Sequence, residues 1–352
     1  MFAVYCVRCT LTMDRDELIG MRLAIGLPGC DATPEVIEAL QASRAQSLVV
    51  FRRNVTSPEQ FTALITRLNE ATGRRLLVMV DHEGGRVTRF HQGVTAFAAP
   101  GELGRDASTD AIERQGAVEA QELRRLGVHV NLAPCADVLV EGCDPVIGDR
   151  SYGSDPHRVA TLCAARIRGL QSHGVAACAK HFPGLGAVPN DPHQALPTIA
   201  ADWAVMERTH LPPFRAAIAG GVATIMSSHV CYPQLGEPKG LPATFSRALI
   251  QGLLRQRLGF PGVILTDALE MGALRAFGTI GESAVRAAAA GHDLLLICSP
   301  ELSPAKEALA CLRSAYASGR LDHHELEASA DRISQLRKNT FPDSLNKHTE
   351  IW

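Results

Sequence analysis

An apolar run ends abruptly in Lys180-His181, and a loop rich in glycine and proline then presents Asp191-Pro192-His193. A carboxylate two residues from an imidazole can fix the ring's tautomer and raise its basicity. A free imidazole titrates near ~6.5, so such a group can give and take back a proton at neutral pH. Pro192 restrains the loop and biases Asp191 towards an extended backbone. Alone, Asp-x-His is a weak signal; close behind Lys180-His181 it gains weight, because loops on a rigid scaffold are where catalytic groups concentrate. A matching carboxylate, Asp267, closes the run Val263-Ile264-Leu265-Thr266. At a strand end it would be short and rigidly held, which suits a nucleophile or an electrostatic stabiliser. The competing reading of Asp267 is a helix N-cap. Asp81 ends another apolar run and leads into His82-Glu83-Gly84-Gly85-Arg86. It could bind hydroxyl groups, act as a second catalytic carboxylate, or cap a helix. Glu83 shares that ambiguity, with a structural salt bridge as its expected fate. The two glycines permit a tight turn or a close backbone approach to a ligand.

The elements that must hold these residues are legible as eight short apolar runs, at 21–27, 47–51, 76–81, 128–133, 175–181, 223–230, 262–267 and 293–298. Amphipathic stretches such as 57–71, 110–126, 155–173 and 243–258 separate them. Ser57-Pro58 and Asp155-Pro156 pair a cap residue with proline at the first helical position. Strands that are apolar throughout and alternate with helices indicate a parallel sheet covered on both faces. Eight such units predict an α/β fold of the (β/α)₈ TIM-barrel type in a single domain, with a doubly wound open sheet as the alternative. Either fold puts its chemistry at the carboxyl ends of the strands, where Arg52, Asn54, Asp81, Asn131, Lys180, His181, His229 and Asp267 collect. The barrel is expected over 13–338, after a loose extension at 1–12 and before a polar tail at 339–352. Two helices, 304–318 and 322–336, follow the last strand.

The 352 residues are 46% hydrophobic and 20% charged, with a net charge of −2. That composition is globular and gives no basic excess for nucleic acid. The ten cysteines lie scattered, several inside apolar runs, as befits free thiols in a reducing compartment. Cys6-x-x-Cys9 lacks a second ligand pair. No apolar run approaches the ~20 residues of a membrane span, and the amino terminus lacks a secretory pattern. Phosphate-binding and dinucleotide-binding glycine patterns are missing, and His82, Glu83 and His91 lack metalloprotease spacing. Neither a metal nor a cofactor is expected.

Taken together, these motifs resemble the β-N-acetylglucosaminidases of glycoside hydrolase family 3, the NagZ type. Residues 180–186 with Asp191-x-His193 are similar to that family's KHFPGHG…DSH. Residues 81–89 resemble DQEGGRVxR, 131–137 resemble NLAPVAD, 145–153 resemble PVIGxRSFG, and 266–271 resemble (S/T)D(A/D)LxM. The resemblance implies a barrel and a retaining, two-step mechanism. Asp267 would be the nucleophile and His193 the general acid/base, oriented by Asp191. Asp81, Arg89, Arg150, Lys180 and His181 would hold an N-acetylglucosamine. The implied substrate is a GlcNAc-anhydroMurNAc muropeptide, the implied setting cytoplasmic cell-wall recycling, and no nucleic acid or membrane partner is expected of what would be a monomer. Three positions depart from the pattern: Leu185 and Pro192 stand where the family has His and Ser, and His82 where it has Gln. Three rival readings follow: a Schiff-base enzyme built on Lys180, a muropeptide-binding protein with an impaired loop, and a phosphorylase using the same site.

Overall fold

The computed structural model describes residues 13–143 and 145–341. The expected extension at 1–12, Cys6-x-x-Cys9 within it, and the tail from 342 onward lie outside the described residues. All eight predicted runs form strands: β1 (Leu23–Gly26), β2 (Ser47–Val50), β3 (Leu77–Val80), β4 (Val130–Asn131), β5 (Ala176–Phe182), β6 (Thr224–Ser227), β7 (Val263–Leu265) and β8 (Leu295–Ile297). Every pair is parallel, in the order β7-β6-β5-β4-β3-β2-β1-β8. The two ends meet through a parallel bridge between Leu265 and Leu294, with the Leu294 amide donating to Ile264 at 3.1 Å. The Thr266 hydroxyl continues that seam by accepting from the Leu296 amide at 3.0 Å. The sheet is thus a closed (β/α)₈ barrel, and the open-sheet alternative falls.

The strands are buried end to end, as a parallel sheet covered on both faces requires. The helices outside lay apolar stripes on them. In Pro58–Thr72 the buried residues are Phe61, Leu64, Ile65 and Leu68, the spacing of a single helical face. Its predicted cap is in place, with the Ser57 hydroxyl accepting from the Gln60 amide at 3.1 Å and proline next in line. Asp155 caps Pro156–Ser172 in the same way. One predicted helix differs: 243–258 divides into a 3₁₀ turn, Ala243–Phe245, and a π-helical segment, Ala248–Arg257. Ser246 between them is extended, and its hydroxyl accepts from the Leu249 amide, so the second segment starts afresh there. The ladder of β4 is short, yet the chain beyond it still pairs with β5: Cys178 donates to Ala133 and Lys180 to Pro134. Pro134 has no N–H and takes part only as an acceptor.

The last helix, His323–Thr340, is tied to the opposite end of the barrel. Asp293, just before β8, accepts from the Ile264 amide, Arg255, Arg332 and Ser329. None of the described helices is long and apolar enough to cross a membrane. The eight described cysteines are free thiols.

Candidate active site

A cavity of about 580 Å³ opens at the carboxyl ends of the strands. Phe51, Asp81, His181 and Asp267 line it from the ends of β2, β3, β5 and β7, and Arg89, Arg150, Asp191 and His193 line it from the connections after β3, β4 and β5. A second concavity, about 630 Å³, lies at the amino-terminal ends of β5, β6 and β7 and holds none of the residues singled out from sequence.

Asp267 is half-buried at the mouth, its carboxylate accepting from the amide of Ala268 at 2.8 Å. No helix begins there: a turn follows, then a 3₁₀ segment at Gly272–Phe277 without a side-chain cap. The N-cap reading of Asp267 is therefore wrong. The segment is pinned from outside by His229, whose Nε2 donates to the Ala268 carbonyl at 2.9 Å. In the loop after β5, His193 Nδ1 lies 2.7 Å from Asp191 Oδ1, and the same oxygen accepts the His193 amide at 2.9 Å. Burial would raise Asp191, but the His193 amide and ring hold its carboxyl below the usual range. The outer face of this imidazole is open, with the side chain 62% exposed.

The cavity that Asp267 lines also meets a charge cluster drawn from the connections after β3 and β4 and from β5 itself. Asp81 takes Lys180 Nζ at 2.7 Å on one oxygen and Arg89 at 3.0 Å on the other. Glu83 accepts both arms of Arg150 at 2.8 Å and Lys180 Nζ at 2.6 Å. Burial alone would raise both carboxyls; Lys180 with Arg89 for Asp81, and Arg150 with Lys180 for Glu83, pull them below the usual carboxylate range. Burial likewise opposes the charge on Lys180, and the two carboxylates outweigh it and raise the ammonium above its ordinary value. An ammonium paired with two carboxylates and 2% exposed is not poised as a Schiff-base nucleophile, and the geometry speaks against that reading. Lys180 stands behind Asp81 and Glu83 and is not among the cavity-lining residues, whereas Asp81, Arg89, Arg150 and His181 are.

His181 is set by a residue not singled out for the site from sequence. Buried Asp137 accepts from His181 Nδ1 at 2.7 Å, from the His181 amide at 3.2 Å and from the Leu185 amide at 2.5 Å. Cys135, Asp137 and His181 place ligand atoms within 4.8 Å of one another. Asp137 spends its lone pairs on those N–H donors, and burial, then Asp137, push the Cys135 thiol up, away from the thiolate a metal would need. Asp137 thus orients His181, and the Cys135 thiol donates to the same carboxylate at 3.2 Å. The three departures resolve structurally: Leu185 is buried in the core, His82 is a buried ring pushed down to about 4 mainly by burial, and the Pro192 carbonyl accepts from the Ala273 amide at 3.1 Å. The paired glycines make a turn packed on Ala98 and Ala99, whose atoms a Cβ would meet at 2.8 and 2.6 Å, and the Arg86 guanidinium fastens the next connection through Asp149 at 2.7 Å. Of the other strand-end residues, Asn54 and Asn131 are absorbed in backbone ties, to Leu27 and Gly29 and to His82.

Glu270 was also missed as a site residue. It lines the cavity, its Oε2 is buried without a hydrogen-bond partner among the described residues, and burial, with Asp267 adding to it, pushes it up to about 7. An acid raised from 4.5 in this way binds more protons folded than unfolded between those values, so its contribution to stability falls as pH rises through the window and stays lost above it. Glu270→Gln should therefore gain about 3 kcal/mol on the wild type between pH 4.5 and pH 8. Urea midpoints for both proteins at the two pH values check this, and an unchanged difference would refute it.

Comparison with known proteins agrees with the geometry. The chain matches the Glycosyl hydrolase family 3 N terminal domain over residues 18–336. It is 36% identical over 286 residues to a β-hexosaminidase of Xylella fastidiosa, covering 80% of this chain and 84% of that one. It superposes on a glycoside hydrolase family 3 β-N-acetylglucosaminidase from Paenibacillus with a TM-score of 0.90 and 37% identity, over 93% of this chain and 63% of that one. It also superposes on NagZ of Neisseria gonorrhoeae with a TM-score of 0.73 and 30% identity, over 91% and 98%. With a family match that spans nearly the whole barrel and a relative that shares four fifths of its length, this chain belongs to glycosyl hydrolase family 3.

Proposed function

We propose that the protein is a retaining exo-β-N-acetylglucosaminidase that removes terminal GlcNAc from GlcNAc-anhydroMurNAc muropeptides during cytoplasmic cell-wall recycling. The broad class, a β-hexosaminidase-type glycoside hydrolase, rests on family membership and on relatives of that name. The finer reading is carried by one observation: the Asp191–His193 pair and Asp267 line the same cavity as the Asp81–Arg89 pair.

In this reading a carboxylate oxygen of Asp267 attacks the anomeric carbon while the His193 imidazolium gives its Nε2 proton to the departing glycosidic oxygen. The result is a glycosyl ester on Asp267 and a neutral imidazole. That imidazole then takes a proton from water, whose oxygen attacks the same carbon, releases Asp267 and restores the β configuration. Asp191 holds Nδ1 and so leaves Nε2 as the nitrogen that faces outward. Asp81 and Arg89 offer an acceptor and a donor to sugar hydroxyls, and Lys180 behind Asp81, with Arg89 beside it, favours the ionised carboxylate.

The departures from the family pattern remove no lining group, which favours turnover over binding alone. An imidazole donor, unlike a carboxylate, would not repel phosphate, so the acceptor is part of the test. GlcNAc-anhydroMurNAc incubated in high phosphate should give free β-GlcNAc by NMR; GlcNAc 1-phosphate would make the protein a phosphorylase, and saturable binding without product would make it a receptor. The His193→Ala protein should lose roughly 10²–10⁴-fold on this substrate and far less on 2,4-dinitrophenyl N-acetyl-β-glucosaminide, whose leaving group needs little protonation. Equal losses would remove His193 from the acid's role.

A further inference from the structure

We infer that Gly272 is a positioning residue, the seat that holds the loop carrying His193 beside Asp267. The inference rests on His193 being the proton donor. Among the described residues the imidazole's hydrogen-bond partner is Asp191, within its own loop, so that pair moves with the loop and does not fix it to the barrel. The fixing contacts are in the backbone. The Gly272 amide donates to the His193 carbonyl and the Ala273 amide to the Pro192 carbonyl, each at 3.1 Å. Two adjacent donors thus meet two adjacent acceptors, on the segment that starts at Asp267.

The fit requires that residue 272 have no side chain. A Cβ there would lie 2.4 Å from the His193 carbonyl oxygen and 2.7 Å from that of Gln194. Both atoms are backbone, so neither can swing aside without moving the loop. The φ of Gly272 is not in the left-handed region, so the position requires room rather than glycine's conformational freedom. A docked loop and a side chain at 272 exclude each other. Gly272→Ala should therefore lift His193 away while Asp267, Asp81 and Arg89 keep their places, and the damage should follow the leaving group's need for a proton.

The test compares kcat/KM, which reports the steps up to departure of the aglycone, for N,N′-diacetylchitobiose and 2,4-dinitrophenyl N-acetyl-β-glucosaminide. The proteins are wild type, Gly272→Ala and His193→Ala, with hydrogen exchange of the Ala273 amide followed in the folded wild type and Gly272→Ala proteins. The expected result is faster exchange at Ala273 and a loss at least roughly tenfold larger on the disaccharide than on the activated substrate, in the same sense as His193→Ala. Unchanged exchange, or equal losses on both substrates, in Gly272→Ala while His193→Ala shows the split would overturn the seat and leave the proton donor standing. Equal losses in His193→Ala itself would overturn the donor assignment, and Gly272's positioning role with it.

Discussion

Asp267→Asn should reduce kcat on 4-nitrophenyl N-acetyl-β-glucosaminide by roughly 10⁴-fold, about 5 kcal/mol of transition-state stabilisation, and leave the fold intact. The size follows from the step that is lost: without the carboxylate no glycosyl ester forms, and a good leaving group does not replace the missing nucleophile. The intact fold follows from the surroundings. Asp267 is half-buried at the mouth of the barrel, and its carboxylate accepts from the Ala268 amide. An asparagine oxygen can keep that bond, and no cation is stranded. The substitution also removes a negative charge that helps raise Glu270, so the variant's thermal midpoint should match or slightly exceed the wild type near pH 8. Turnover and a thermal scan on one preparation check both parts. Activity within tenfold of wild type would end the nucleophile assignment, and a collapsed midpoint would show that Asp267 carries structure.

The barrel could be read from the sequence because its signals are local. Runs such as Leu77–Val80 and Val263–Leu265 are apolar at every position, which only a strand covered on both faces allows, and the Ser57-Pro58 and Asp155-Pro156 starts are complete within four residues. The Asp191–His193 pair was legible for the same reason: its partners are two residues apart and bond within one turn of loop. What escaped is non-local. Asp137 lies 44 positions from the imidazole it orients. Gly272 reads as a routine turn glycine until the loop ending near position 194 comes to rest on it. Glu270 sits in a helix-like string and shows its raised protonation only once burial and Asp267 are placed around it. Lys180 was visible as a functional residue but not as one facing away from the cavity, because its partners Asp81 and Glu83 are brought to it by closure of the barrel.

The second large effect concerns that cluster. Glu83→Gln is expected to destabilise the protein by about 3–5 kcal/mol, a fall in midpoint of roughly 5–15 °C. The cluster holds three cations, Arg89, Arg150 and Lys180, against two carboxylates, Asp81 and Glu83, a balance of +1. Removing the Glu83 charge leaves +2 in a site where Glu83 and Lys180 are 1% and 2% exposed, and a glutamine cannot accept both arms of Arg150. Adding Lys180→Met restores +1, so the double variant should regain part of the loss, a coupling that a merely cramped side chain would not show. The pH dependence supplies an independent sign. Glu83 is held below the ordinary carboxylate range when folded, so its stabilisation is present above about 4.5 and is lost as pH falls from there towards the depressed folded value. The acid limb of the wild-type stability profile should therefore be steeper than that of Glu83→Gln, and the two curves should converge below pH 4. Curves that stay parallel between pH 7 and pH 3 would mean that the charge on Glu83 does not hold the cluster together.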